Sequence, residues 1–152
     1  MTVPQVGAVA PDFELLDDSG KPVRLSSFRG RRVVLYFYPK DDTPGCTTEA
    51  QGFQEMLSAF GEKNAVVLGV SPDSVESHQA FKKKYGLNFQ LLADTEQKAA
   101  KAYGVWGLKK LFGKEFMGVT RTTFLIDATG KIARVYENVE PSGHCNVVLA
   151  HL

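Results

Sequence analysis

Val33-Val34-Leu35-Tyr36-Phe37-Tyr38 is an unbroken apolar, β-prone run, and it predicts a central strand covered on both faces. Ahead of it, Asp12–Leu25 alternates weakly around Asp17-Asp18-Ser19-Gly20, the pattern of an N-terminal β-hairpin. Ser26 or Ser27 is expected to cap a short turn ending at Gly30. Pro39–Gly45 reads as a loop. Cys46 then begins a helix to about Phe60, because Phe53, Met56, Leu57 and Phe60 follow the i, i+3, i+4, i+7 spacing. Ala65–Val70 is the next buried strand. Asp73 and Glu76 are spaced as a capping box for a helix through Phe81 to Tyr85, with Gly86 as its left-handed stop. Phe89–Leu92 predicts a strand and Glu96–Tyr103 a short helix closed by Gly104. Val105–Gly118, rich in Gly, Lys and Phe, reads as a loop that Trp106 packs. Thr122–Ile126 and Ile132–Tyr136 predict a hairpin around Asp127-Ala128-Thr129-Gly130, and Ser142 is expected to cap a last helix reaching the chain end.

Strands that alternate with helices, then a hairpin and a final helix, imply a mixed central sheet with helices on both faces. That order fits a thioredoxin-like α/β fold carrying an N-terminal β-hairpin. Residues 1–152 are long enough for a single domain with one substantial core. A net charge of +1, with Lys and Arg dispersed among Asp and Glu, predicts neither a nucleic-acid nor an anionic-lipid partner. No apolar run approaches the ~20 residues of a membrane-spanning helix. Met1–Pro11 has no basic run and no long apolar stretch, so no secretory leader is expected there. Two cysteines are too few for a disulfide framework and point to a reducing, cytoplasmic compartment. Three scattered histidines and two distant cysteines make a poor zinc set, and no metal, flavin, haem or nicotinamide motif is visible.

The chemistry concentrates in Pro39, Thr43 and Cys46, spaced P-x-x-x-T-x-x-C between the central strand and the helix. Such a loop holds side chains at the carboxyl edge of a sheet, where α/β proteins build their sites. A first-turn cysteine sits where unpaired N–H groups and the helix dipole favour an anion, and the thiolate is the nucleophilic form. Ionisation alone is a small part of catalysis. An ordinary free thiol is already about 3% ionised at neutral pH, so complete ionisation gains only ~30-fold. Enzymes commonly deliver 10⁶ or more, roughly four orders beyond that. A substrate whose reaction builds negative charge on a departing oxygen needs donors already in position. Thr43 offers a hydroxyl and the Gly45–Cys46 backbone offers N–H groups. Pro44 presets the turn, Gly45 keeps the approach to sulfur open, and the Pro39 ring can screen it from water.

Pro39-Lys40-Asp41-Asp42-Thr43-Pro44-Gly45-Cys46-Thr47-Thr48-Glu49 resembles the peroxiredoxin signature in its Thr-Pro-Gly-Cys-Thr form. The likeness is to the bacterioferritin comigratory protein (peroxiredoxin Q) branch and runs along almost the whole chain. Ala10-Pro11-Asp12-Phe13, Gly69-Val70-Ser71-Pro72-Asp73, Phe116-Met117-Gly118 and Arg121-Thr122-Thr123-Phe124-Leu125-Ile126-Asp127 carry it. The resemblance implies a cofactor-free enzyme that reduces hydroperoxides through a Cys46 sulfenic acid. It implies that Thr43 and Arg121 hold the peroxide oxygens, that Pro39 shields the site, and that Glu49 pairs with an arginine. Thioredoxin, glutaredoxin or a small thiol would supply electrons, and the branch is often monomeric.

The chain departs from that branch at Gln51, where many members carry a second cysteine five residues after the first. Three regeneration routes remain: an external thiol in a one-cysteine cycle, Cys145 of the same chain, or Cys145 of a second subunit. Cys145 follows Ser142 closely, and a helix start there would lower its pKa. Competing readings are a thiol–disulfide oxidoreductase, disfavoured by Glu49 at the position of a second Cys-x-x-Cys thiol, and a redox-sensing module. His78, His144 and His151 show no spacing to Cys46 that identifies a base. Lys82-Lys83-Lys84 and Lys109-Lys110 read as solvated faces, and Tyr36, Phe37 and Tyr38 as core and pocket wall.

Overall fold

The computed structural model describes residues 3–152; Met1 and Thr2, where the leader reading begins, lie outside them. A seven-stranded mixed sheet has the order β2-β1-β5-β4-β3-β8-β9. Its strands are β1 (Glu14–Asp17), β2 (Pro22–Arg24), β3 (Arg32–Phe37), β4 (Ala65–Ser71), β5 (Gln90–Ala93), β8 (Thr122–Ile126) and β9 (Ile132–Tyr136). β3, β4 and β5 run parallel, and β8 returns antiparallel against β3. The helices are α1 (Pro44–Glu55), α2 (Leu57–Glu62), α3 (Val75–Tyr85), α4 (Lys98–Ala102) and α5 (His144–Ala150).

The apolar run of β3 divides between two cores because successive side chains point to opposite faces. Val33, Leu35 and Phe37 join a cluster with Ala99, Ala100 and Tyr103 around α4. Val34, Tyr36 and Tyr38 join one with Ala50, Phe53, Phe60, Phe81 and Val148, drawn from α1, α2, α3 and α5. Helices therefore cover both faces, as the pattern predicts. Tyr36 lies opposite Gly69 in the parallel register of β3 and β4. A Cβ at Gly69 would stand 3.0 Å from the Tyr36 ring and from Leu91, so only glycine lets the tyrosine lie flat across its neighbour.

Several local expectations are corrected. The stretch 105–118 is not a loop: β6 (Trp106–Leu111) and β7 (Lys114–Val119) pair antiparallel as a separate two-stranded ribbon. Its pattern is hard to read because Leu108, Phe116 and Met117 face solvent, while the Trp106–Val119 end packs on the core. The first helix starts at Pro44, the favoured proline position of a first turn, and breaks at Met56 (φ −98°, ψ 7°) before α2. Ser74 caps α3 by accepting from the Ser77 N–H, while Asp73 accepts from the Asp41 N–H and the Ser71 hydroxyl. Neither Ser26 nor Ser27 caps the 3-10 turn Leu25–Phe28, whose Ser26 N–H goes to Asp12. Gly143, not Ser142, precedes α5.

Candidate active site

Local sequence explains how Cys46 is presented. Thr43 is extended (φ −98°, ψ 156°) and turns the chain into α1, so Pro44, Gly45 and Cys46 are its first three residues. The first intrahelical bond runs from the Thr47 N–H to the Thr43 carbonyl at 2.8 Å. The Gly45 and Cys46 amides precede it and belong to the helix start, where N–H groups lack helical acceptors. Cys46 itself is 1% exposed and packs in the α1 core.

Arg121 reaches this helix start from the residue before β8. One terminal nitrogen lies 3.4 Å from Cys46 Sγ and the other donates to Glu49 Oε1 at 2.7 Å. A Cβ at Gly45 would sit 3.1 Å from the guanidinium and 3.3 Å from Pro141, so the missing side chain lets the cation press against the helix start. Glu49 is buried beside it, and its Oε2 has no hydrogen-bond partner among the described residues. Burial raises the Glu49 pKa to about 7 against the pull of Arg121. Arg121's own shift is upward: its burial opposes the charge, but Glu49 and then Cys46 outweigh it. The two directions are compatible: the guanidinium stays charged in either case, and the half-satisfied carboxylate bears the cost of burial.

Thr43 directs its hydroxyl hydrogen to the Lys40 carbonyl at 2.9 Å, which leaves its oxygen lone pairs free to accept. Pro39 is half-buried at the end of β3. Cys145 is buried on α5, not at the mouth of the site, and a Cβ at Gly52 would meet its Sγ at 3.0 Å. Gly52 is six residues beyond Cys46, about 9 Å along a helix axis. Burial raises the Cys145 pKa and outweighs nearby backbone donors, so the helix start does not activate this thiol. Both cysteines are free thiols.

Three features were invisible to spacing. Asp41 is buried and accepts from the Tyr38 hydroxyl (2.6 Å) and the Ser77 hydroxyl (2.8 Å), with His78 Nδ1 at 2.7 Å. His78 Nε2 donates to the Leu92 carbonyl at 3.0 Å, since a carbonyl can only accept. This network ties the Cys46 loop to α3. His144 lies 2.8 Å from the Thr123 hydroxyl, and burial, then Arg121, lower its pKa to about 4. Lys109 is half-buried rather than solvated, and its ammonium donates to the Val119 carbonyl at 2.9 Å.

A buried cysteine at a helix start, with a guanidinium shared between it and a buried carboxylate, is the layout of a thiol-based redox centre. Residues 6–135 match the model of the AhpC/TSA family. Peroxiredoxin Bcp of Bacillus subtilis (strain 168) is 52% identical over 144 residues, covering 95% of this chain and 91% of that protein. A bacterioferritin comigratory protein from Xanthomonas campestris, studied for alkyl peroxide reduction, superposes with a TM-score of 0.89 at 37% identity, covering 99% and 96% of the two chains. A cysteine-to-serine mutant of PrxQ from Xylella fastidiosa reaches 0.94 at 35% identity, with the same coverage. The chain belongs to the AhpC/TSA family. Within it the chain is a peroxiredoxin of the Bcp type, a thiol-dependent peroxidase on the thioredoxin fold.

Proposed function

We propose that Cys46 is the peroxidatic nucleophile, and that Arg121 and the first-turn amides of α1 hold a hydroperoxide while its O–O bond breaks. The observation that carries this reading is the Arg121 guanidinium, divided between Cys46 Sγ and Glu49. The thiolate sulfur attacks one peroxide oxygen; an S–O bond forms as O–O breaks, and the departing oxygen takes a proton and leaves as water or alcohol. Sulfur is oxidised by two electrons to a sulfenic acid and the peroxide is reduced by two. Charge builds on the departing oxygen, and Arg121 stays cationic throughout, with its donors already oriented. Glu49 positions Arg121, Thr43 shapes the turn and accepts from the peroxide O–H, Gly45 admits the guanidinium, and Pro39 shields the sulfur.

Hydrogen peroxide and organic hydroperoxides are the substrates on this reading, and thioredoxin, glutaredoxin or a small thiol is the reductant. A one-cysteine cycle is the favoured route. Disulfide formation needs Cα atoms within about 7 Å, whereas Cys145 packs about two helical turns beyond Cys46. Resolution by Cys145 would require the start of α1 to unwind. The same reading has the chain act as a cytoplasmic monomer; its single-domain part is supported by the two cores, which lie on opposite faces of one sheet. Among the described residues no helix is long and apolar enough to cross a membrane.

One equivalent of hydrogen peroxide added to the reduced protein with a sulfenic acid trap tests the assignment by intact mass. A trapped adduct on Cys46 alone supports the one-cysteine cycle. Loss of two hydrogens as a Cys46–Cys145 bridge would make Cys145 the resolver. Oxidation of neither sulfur faster than a free thiol would remove Cys46 from its role.

A further inference from the structure

Beside Arg121 opens a cleft of about 450 Å³ lined by Lys109, Lys110, Thr120, Arg121, Asn138 and Val139. That volume lies within the ~300–1,000 Å³ of small-molecule sites. Its charge is one-sided. Lys110 turns to Glu115 at 3.5 Å in an exposed pair, and Arg121 is engaged by Glu49. Lys109 has no carboxylate within ion-pair distance among the described residues. Its stem crosses the ribbon over Gly118, where a Cβ would stand 3.1 Å from Lys109 Cδ. Its ammonium is anchored on the Val119 carbonyl, two residues before Arg121, which leaves two of three N–H bonds for another acceptor. Burial, and then the neighbouring Arg121, pull its pKa below the usual lysine value, so an incoming anion would relieve a repulsion already present.

We infer that Lys109 is a specificity-determining residue, and that this cleft binds the carboxylate of an anionic organic hydroperoxide whose O–O group lies at Cys46. The inference rests on the peroxidase reading above and adds its substrate class. A half-buried ammonium held inside a cleft suits a small anion better than an acidic protein surface, which would meet the exposed Lys110 and Lys114 first.

The test compares the analogue of tert-butyl hydroperoxide that carries a carboxylate on one methyl with its methyl ester, using dithiothreitol as reductant. Wild type is expected to favour the acid over the ester about tenfold in kcat/KM, the scale of one charge-assisted hydrogen bond. Lys109→Met should bring that ratio to about one, Lys109→Arg should keep most of it, and added salt should lower it in wild type. A wild-type ratio near one, or a Lys109→Met enzyme slowed equally on both substrates, would overturn the subsite. So would a retained ratio accompanied by a raised KM for a protein dithiol, which would make the cleft a reductant dock. Failure of wild type to turn over any peroxide would instead remove the peroxidase reading beneath it.

Discussion

Two buried carboxylates flank the cysteine in sequence, and they are treated in opposite ways. Asp41, five residues before Cys46, is met by Tyr38, Ser77 and His78, all within 2.8 Å. Glu49, three residues after it, has one partner, and its second oxygen is orphaned among the described residues. A fully satisfied buried network rigidifies its surroundings, whereas a half-satisfied one carries a free-energy cost. Asp41 therefore reads as scaffold for the loop and Glu49 as part of the working site, where stability is given up to orient a cation. The unpaired atom, not the buried charge, separates the two.

Four substitutions can sharpen or break that contrast. Cys46→Ser should lower peroxide kcat/KM by roughly 10³-fold or more, measured under saturating thiol; retained turnover would sink the mechanism. Arg121→Gln should lower it by about 10²–10³-fold while the protein remains folded, the loss typical of one oriented donor to developing charge. Asp41→Ala should cost about 3 kcal/mol in urea unfolding, because it strands His78, with a smaller loss of activity in the folded fraction. Glu49→Gln should do the reverse: about tenfold lower kcat/KM, and unfolding at pH 8 no easier than wild type. Equal activity losses in Asp41→Ala and Glu49→Gln would erase the distinction between scaffold and site.

The same pair supplies a pH signature. Because burial raises the Glu49 pKa from 4.5 to about 7, the native state holds a proton that the unfolded chain releases. That contribution to stability is present below about 4.5 and is lost as pH rises towards 7. His144 acts with the opposite slope, since its pKa falls from 6.5 to about 4 and its contribution is lost as pH falls through that window. Subtracting the urea stability of Glu49→Gln from that of wild type isolates the glutamate. The difference is expected to move against wild type by about 3 kcal/mol or less between pH 4.5 and 7. A flat difference would mean that Arg121 keeps Glu49 ionised throughout.

Local patterns were readable where one residue class decided the structure. The β3 run, the Asp17–Gly20 turn, the Gly86 stop and the β8–β9 hairpin all follow from periodicity or turn chemistry. Cys46, Thr43 and Gly45 could be picked out because they are contiguous, and Arg121 only through a resemblance, since 75 residues separate it from the sulfur. The Asp41–His78 contact, spanning 37 residues, left no trace in spacing. The ribbon was missed because its charged and apolar residues come in pairs (Lys109-Lys110, Lys114-Glu115, Phe116-Met117) and break the period-2 alternation that marks a strand. Lys109 was misread with it: a lysine whose stem lies over a glycine of the opposite strand looks, in one dimension, like any solvated charge.

That ribbon has a further consequence. β6 and β7 lie outside the main sheet, joined to the core through Trp106 and Val119, and the chain leaves β7 directly into Arg121. Lys109 and Lys110 of the cleft and the guanidinium beside the sulfur thus travel as one short cassette, joined at the cleft by Asn138 and Val139 from beyond β9, while Cys46 resides on another segment entirely. Exchange of residues 106–119 between homologous scaffolds should transplant substrate preference and leave the oxidation chemistry in place. With Lys109 as the proposed determinant, what the enzyme accepts can be retuned by editing a hairpin, without reopening the helix that carries Cys46.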